Sequence, residues 1–224
     1  MIFSWSHTSI QTFKTCPAQY AAKYFYKTVK FKENEAAAWG NEVHKGAELL
    51  LKGEEYKNDK VTELVMPYVT FFNKVQAESG CERQVELEIC ISDKWKPTGW
   101  FDPDAWGRGK LDLVHIGGRA AHIYDWKTGK FKHDEAQLKI FCVLLAIARP
   151  DIELFDAQYI WLKDKKTSGL EKTLHRKDLV PLIKELQEDI GIIQEAWEYE
   201  NFPEKRNGLC KRYCDVITCK YCGV

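Results

Sequence analysis

Residues 111–116 and 119–126 are two runs rich in Val, Ile, Tyr and Trp, with only Gly117-Gly118 between them. Branched and aromatic side chains suit a pleated surface, and two glycines supply the freedom that a two-residue loop needs. The segment is therefore expected to close as a tight antiparallel hairpin. No other stretch limits the topology as much, because a hairpin dictates which residues share a face. With Ile116 opposite Arg119, Asp112 falls opposite Ile123. Asp125, two residues on, is then a diagonal neighbour of Asp112, with backbones roughly 7–8 Å apart. Lys127 returns to that face by the strand period of two.

Two carboxylates at that separation can reach in and hold one divalent cation. Hard oxygen ligands suit Mg²⁺ or Mn²⁺, which lowers the pKa of a bound water. A neighbouring amine can position that water or steady a developing phosphorane charge. The same residues could instead form a salt bridge on a solvated hairpin face.

Other signals lie along the chain in a definite order: Ser6-x-x-Ser9 with Phe13 and Cys16-Pro17; Gly40-x-x-x-His44; Gly109-Lys110-Leu111-Asp112; Asp125-Trp126-Lys127-Thr128-Gly129; Gln137 with an aromatic residue, Phe141, four positions on; and a C-terminal cluster of cysteines. By helical spacing Val43, Ala47 and Leu50 face a core and leave His44 at the edge of that face. Together these motifs resemble the PD-(D/E)XK nuclease superfamily, specifically its RecB-like branch of phage exonucleases and CRISPR-associated adaptation nucleases.

The resemblance implies a restriction-endonuclease-like core and a DNA exonuclease, phage-encoded and acting in recombination or replication. A CRISPR-associated adaptation nuclease is the near alternative. From a different class comes a non-catalytic, metal-clipped nucleic-acid-binding adaptor, which the retained Asp112, Asp125 and Lys127 disfavour. The resemblance also implies His44 as a metal ligand beside Asp112 and Asp125, with the Trp126 backbone carbonyl as a further one. Lys127 then orients the attacking water and Gln137 faces DNA. An imidazole among the ligands suits Mn²⁺. Phe141 stands where the family carries tyrosine and is read as core. Glu86 and Glu88 share the polar face of a preceding strand, where an auxiliary acidic role is assigned to Glu88 if to either.

Composition permits this reading. A chain of 224 residues with 45% hydrophobic content can bury one core, and a single nuclease domain over 1–224 is expected. That domain has a mainly helical part at 1–80, a catalytic sheet core at 81–175, and a helix with the cysteines at 176–224. Helices are expected over 6–26, broken near Pro17, and over 35–52, 61–78, 134–148 and 178–200. Strands are expected over 84–91, 99–106, the hairpin and 155–162, with 170–175 pairing beside the last. Strands interleaved with helices give an α/β fold, a mixed central sheet flanked by helices.

No run of 18 apolar residues exists and the chain opens with Met1-Ile2-Phe3-Ser4, so a soluble, unexported, cytoplasmic protein with no membrane partner is expected, in the host cytoplasm if phage-encoded. Lys+Arg and Asp+Glu balance at 33 each. Contacts with DNA must then come from local patches such as Lys27, Lys30 and Lys32, or Lys163, Lys165 and Lys166. A single-strand annealing or recombination protein is a further expected partner.

Eight cysteines are present. Cys142 sits among apolar helical neighbours and reads as core; Cys81 and Cys90 have no ligand-like spacing. The last residues carry Cys210, Cys214, Cys219 and Cys222 in a segment too short and polar to fold on its own packing. In a reducing compartment such a group binds metal. One tetrahedral Zn²⁺ on these four thiolates is one assignment. The other, implied by the resemblance, is a [4Fe-4S] cluster on Cys16, Cys210, Cys214 and Cys219, with Cys222 as an alternative ligand. The C-terminal spacing here, x3 then x4, departs from the family's x2 then x5. Either metal would form a clip joining the N- and C-terminal segments.

Overall fold

The computed structural model describes residues 3–29 and 34–223; Lys30 and Lys32 of the first basic patch, and Met1 and Ile2, lie outside the described residues. In chain order it contains α1 (His7–Thr15), α2 (Pro17–Tyr20), a π-helical turn (Ala21–Phe25), α3 (Glu35–Leu51), α4 (Asp59–Ser79), β1 (Glu82–Ile91), β2 (Pro97–Thr98), β3 (Gly107–Gly117), β4 (Ala120–Lys127), α5 (Ala136–Ala148), β5 (Leu154–Trp161), β6 (Lys166–Gly169), β7 (Leu174–His175), a 3₁₀ turn (Arg176–Asp178) and α6 (Leu179–Glu198). The chain divides into two compact units, Glu33–Leu182 and Met1–Lys32 with Ile183–Val224.

The larger unit holds a seven-stranded mixed sheet in the order β2-β1-β3-β4-β5-β6, with β7 also on β5. All pairings are antiparallel except β4 with β5, joined by the crossover that contains α5. Helices α3 and α4 bring Val43, Ala47, Val61, Val65, Val69 and Phe72 against Leu113, Trp126 and Ile160 of the sheet. Asn34 and Asn58 cap the two helices by accepting from Ala37 and Val61 N–H. Helix α5 packs against the sheet through Leu138, Phe141 and Leu144, all buried. A Cβ on Gly109 would come within 2.5 Å of Leu144 Cδ1, so α5 can seat on β3 only because that position has no side chain.

The smaller unit is helical at its start and irregular at its end. Ser6 and Ser9 form a reciprocal capping box at α1: Ser9 Oγ accepts from Ser6 N–H at 2.9 Å and Ser6 Oγ from Ser9 N–H at 3.3 Å. Cys16 is extended between the first two helices, and Pro17 begins α2 where its missing N–H costs nothing. Trp197 Nε1 donates to Tyr20 Oη at 3.0 Å, and the rings of Phe25, Tyr20 and Phe202 close around that contact. Among the described residues no helix is long and apolar enough to cross a membrane.

Three expectations change. Gly117 pairs with Ala120 and Ile116 with Ala121, so the two-residue turn is Gly118-Arg119, with Gly118 at φ 58°. The register is shifted by two from the expected one. An even shift keeps every side chain on its expected face, but it brings Asp112 opposite Asp125 rather than diagonal to it. Residues 99–106 form turns, not a strand: Asp102 accepts from Gly99 N–H at 2.6 Å and from Thr98 Oγ1 at 2.9 Å, and Pro103 has no N–H to give a ladder. Beside β5, pairing comes from 166–169 and 174–175 rather than from 170–175 throughout.

Candidate active site

The β1–β3 ladder runs in one register through Val85–Leu113 and Leu87–Leu111, which puts Glu86 opposite Asp112. Continuing the β3–β4 register from Leu113–Tyr124 puts Asp112 opposite Asp125, and Asp125 pairs in turn with Tyr159. Three carboxylates thus stand in one row across the sheet. Glu86 is at φ 56°, a conformation that costs a non-glycine residue roughly 1–2 kcal/mol, within a strand that continues through it. His44 of α3 completes the group. Its Nδ1 is 3.1 Å from Asp112 Oδ1, and one donor atom each from His44, Glu86 and Asp112 lies within 4.8 Å of the others.

Asp112 and Asp125 are 6% and 2% exposed. Asp112 Oδ2 accepts from Trp126 N–H at 2.8 Å. Burial, and then the Asp112 charge, push the Asp125 carboxyl well above the usual carboxylate range, against the opposing pull of Lys127. Lys127 Nζ lies against Asp125 Oδ2, but that oxygen has no well-directed hydrogen bond. A buried acid pair offset by a single ammonium fits a cation, since burial and the Asp112 charge outweigh the compensation that Lys127 supplies. Lys127 Nζ also donates to Gln137 Oε1 at 2.9 Å and sits 4.9 Å above the Tyr159 ring. For His44, burial works against the imidazolium, but the hydrogen bond to Asp112 and the charges of Asp112, Asp125 and Glu86 carry its pKa upward. Burial raises Glu86 as well, although Lys110 Nζ lies 2.6 Å from its Oε2.

The expected catalytic residues thus lie near one another, from the middle of β3 to the end of β4, with different partners. His44 and Asp112 touch. Asp125 is turned toward Lys127 and stands outside the 4.8 Å group. The Trp126 side chain is buried, edge-on to Phe72 and Tyr68. Gln137 holds Lys127. Phe141 is core, at 3% exposure. A Cβ on Gly40 would lie 3.5 Å from Thr128 Oγ1, so the glycine of one motif borders the threonine of another. Glu86 is the residue that sequence reasoning missed. Glu88 pairs opposite Lys110 and is exposed. The two glutamates are alike by strand alternation, and only their position relative to Asp112 separates them.

In the smaller unit Cys16 and Cys210 are buried and Cys214, Cys219 and Cys222 partly so. Among the described residues no three cysteine sulfurs lie within 4.8 Å of one another. The tail is tied to the Cys16 turn by its backbone and by Asn207. Asn207 Nδ2 donates to Thr15 O at 3.2 Å while its N–H donates to Cys210 Sγ at 3.3 Å. Ala18 N–H donates to Pro203 O at 3.3 Å, and Tyr221 N–H donates to Cys219 Sγ at 3.4 Å. Cys142 is core, and burial pushes its thiol up to about 12.

No curated protein matches the chain in sequence. Among solved structures, that of SSO0001 superposes with a TM-score of 0.53 at 15% identity, covering 99% of this chain and 88% of that one. A candidate exonuclease from Eubacterium rectale superposes with a TM-score of 0.50 at 10% identity, covering 94% and 86%. At these identities the likeness is one of fold. The family model for the PD-(D/E)XK nuclease superfamily matches residues 4–222. Because that match takes in the paired acids, the lysine and both flanking helical regions alike, the chain belongs to the PD-(D/E)XK nuclease superfamily.

Proposed function

We propose that the chain is a metal-dependent deoxyribonuclease of the RecB-like type, a single nuclease domain that hydrolyses DNA phosphodiesters as an exonuclease. The observation that supports this best is the convergence of His44, Glu86 and Asp112 beside a lysine held by both Asp125 and Gln137. His44, Asp112 and Asp125 would hold Mg²⁺ or Mn²⁺, with Glu86 and the Trp126 carbonyl as further donors. A cation there supplies Lewis acidity and neutralises charge on the scissile phosphate. Lys127 has three N–H donors. Gln137 takes one and Asp125 faces another, which leaves one directed donor for the attacking water or a phosphate oxygen. Gln137 uses its carbonyl on Lys127, so its NH₂ is free to donate to the DNA backbone. Buried Trp126 and Tyr159 keep bulk water off this end of β4 and strengthen each of these charge contacts.

The cysteines fit a [4Fe-4S] cluster on Cys16, Cys210, Cys214 and Cys219, with Cys222 in reserve and a structural Zn²⁺ as the alternative. Asn207, bonded to both the Cys210 sulfur and the residue before Cys16, favours a site that includes Cys16. The motif resemblance supports a phage-encoded protein acting in the cytoplasm in recombination or replication, alongside a single-strand annealing or recombination protein. The test is a digest of 5′- and 3′-labelled single-stranded and duplex DNA with Mg²⁺, Mn²⁺ or chelator. Mononucleotide release from one end, dependent on the cation, is expected; internal cuts would overturn the exonuclease assignment, and no cleavage with any cation would overturn the nuclease itself.

A further inference from the structure

Strands β4 and β5 are parallel and pair Lys127 with Trp161, so the segments that follow both strands leave the sheet at the end that carries the acids. They are bound to each other. Leu162 N–H donates to Lys127 O at 3.0 Å, Phe131 N–H donates to Asp164 Oδ2 at 2.9 Å, and the Phe131 and Trp161 rings lie 5.5 Å apart. From this joined surface project Lys130, Lys132, Lys163, Lys165 and Lys166, all exposed. Lys166 pairs with Trp161, so Lys127, Trp161 and Lys166 are successive partners across three strands, with Lys166 Nζ 5.6 Å over the Phe131 ring.

The acids of the same segments are turned to other work. Asp164 accepts from Phe131, Asp134 accepts from Ala136 N–H at 2.9 Å, and Glu135 pairs with Lys139 at 3.1 Å. Among the described residues no salt bridge involves Lys130, Lys132, Lys163 or Lys165, although surface pairing is common elsewhere in this neutral chain. Lys165 also occupies a left-handed turn position, φ 49°, where glycine or asparagine would fit without strain. A lysine there forgoes backbone ease for a side chain directed from the turn.

The geometry points to a phosphate-tracking ledge: these lysines bind the phosphodiester backbone of the DNA strand beyond the scissile bond and carry it away from Lys127. The ledge rests on the nuclease reading for its substrate class, but its charge and position are independent of catalysis. In a protein of zero formal net charge, a local excess of unpaired cations is what can draw a polyanion.

The test is the triple variant Lys130→Gln/Lys132→Gln/Lys165→Gln in the whole chain. Its affinity for a fluorescent single-stranded oligonucleotide is measured against salt in an Asp125→Asn background, so that binding is read without cleavage. The slope of log affinity against log salt is expected to fall by about 2, near 0.7 for each lost phosphate contact. In the cleaving background KM for the oligonucleotide should rise roughly tenfold, with turnover of a p-nitrophenyl thymidine phosphate, too short to reach the ledge, unchanged. An unaltered slope and KM would overturn the ledge, as would an equal loss on the short substrate. If the unmodified chain cleaves nothing while the slope still falls, the nuclease reading fails and the ledge stands.

Discussion

The acid row across β1, β3 and β4 and the cysteine segment at residues 210–222 are both candidate metal centres, yet they are built in opposite ways. The acids are nearly inaccessible, held by strand register and by a frame of Trp126, Leu113 and α3. Along residues 201–223, Cys210 is the one buried residue, and what orders that stretch is turns and N–H to sulfur contacts. Where apolar packing supplies the frame, charged groups can be kept in positions that cost free energy. Where it does not, the ligand itself has to supply the order. The first centre should therefore lose function and keep its fold when disturbed, and the second should do the reverse.

The largest test of that contrast is Asp125→Asn. It should lower kcat by at least roughly 10³-fold, about 4 kcal/mol, with an unchanged far-ultraviolet circular dichroism spectrum and retained DNA binding. Cleavage above a tenth of the unmodified rate in the folded variant would remove Asp125 from the site. Lys127→Ala should show a similar loss while divalent-cation affinity, measured by calorimetry, persists.

Cys214→Ser should show the opposite profile: an unfolding transition lowered by about 5–10 °C, corresponding to roughly 2–3 kcal/mol for a chain of this size. A variant as stable as its parent would mean that no clip exists. The same preparation decides its metal. Anaerobically purified protein should be brown and bleach with Cys16→Ser; a colourless protein with one zinc, indifferent to Cys16→Ser, would assign the tail cysteines alone.

A third expectation concerns pH. The Asp125 carboxyl is raised in the folded chain relative to its unfolded value, so the native state retains a proton that the unfolded state has released. In metal-free protein, the contribution of this carboxyl to stability is then greatest at acid pH and declines as pH climbs from the ordinary carboxylate range through the folded-state value. Asp125→Asn should remove that decline, stabilising the metal-free chain at pH 8 by about 1–2 kcal/mol and not at pH 4. Urea midpoints with chelator present measure this directly, and a parallel decline in the variant would assign it to other groups. Divalent cation should restore the parent at pH 8, because cation and proton compete for one carboxylate.

The smallest effect is the sharpest on ligand identity. His44→Ala leaves an all-oxygen site and should reduce Mn²⁺-supported cleavage severalfold more than Mg²⁺-supported cleavage. Equal losses would mean that the imidazole acts only through its bond to Asp112.

Much of this architecture could be read before folding was considered. The Gly117-Gly118 pair announced a hairpin, Ser6-x-x-Ser9 a helix start, and the spacing of Val43, Ala47 and Leu50 a buried helical face with His44 at its edge. All of these are local: a turn, a cap and a 3.6-residue period depend on neighbours within a few positions. The turns at 99–106 were less legible, since their β-forming aromatics conceal an Asp102 that accepts from its own backbone.

By itself the sequence determined that two acids and a lysine would share one face of a hairpin, because strand alternation survives any even change of register. Which carboxylate of β1 would meet them, and with which helix, depended on long-range pairing. Glu86 rather than Glu88 faces Asp112 because a whole ten-residue strand settles into one register against β3, and His44 reaches Asp112 because α3 packs on that sheet. Periodicity states the face a side chain takes; only the cooperative burial of Leu113, Trp126 and the helices over them sets the distance along it.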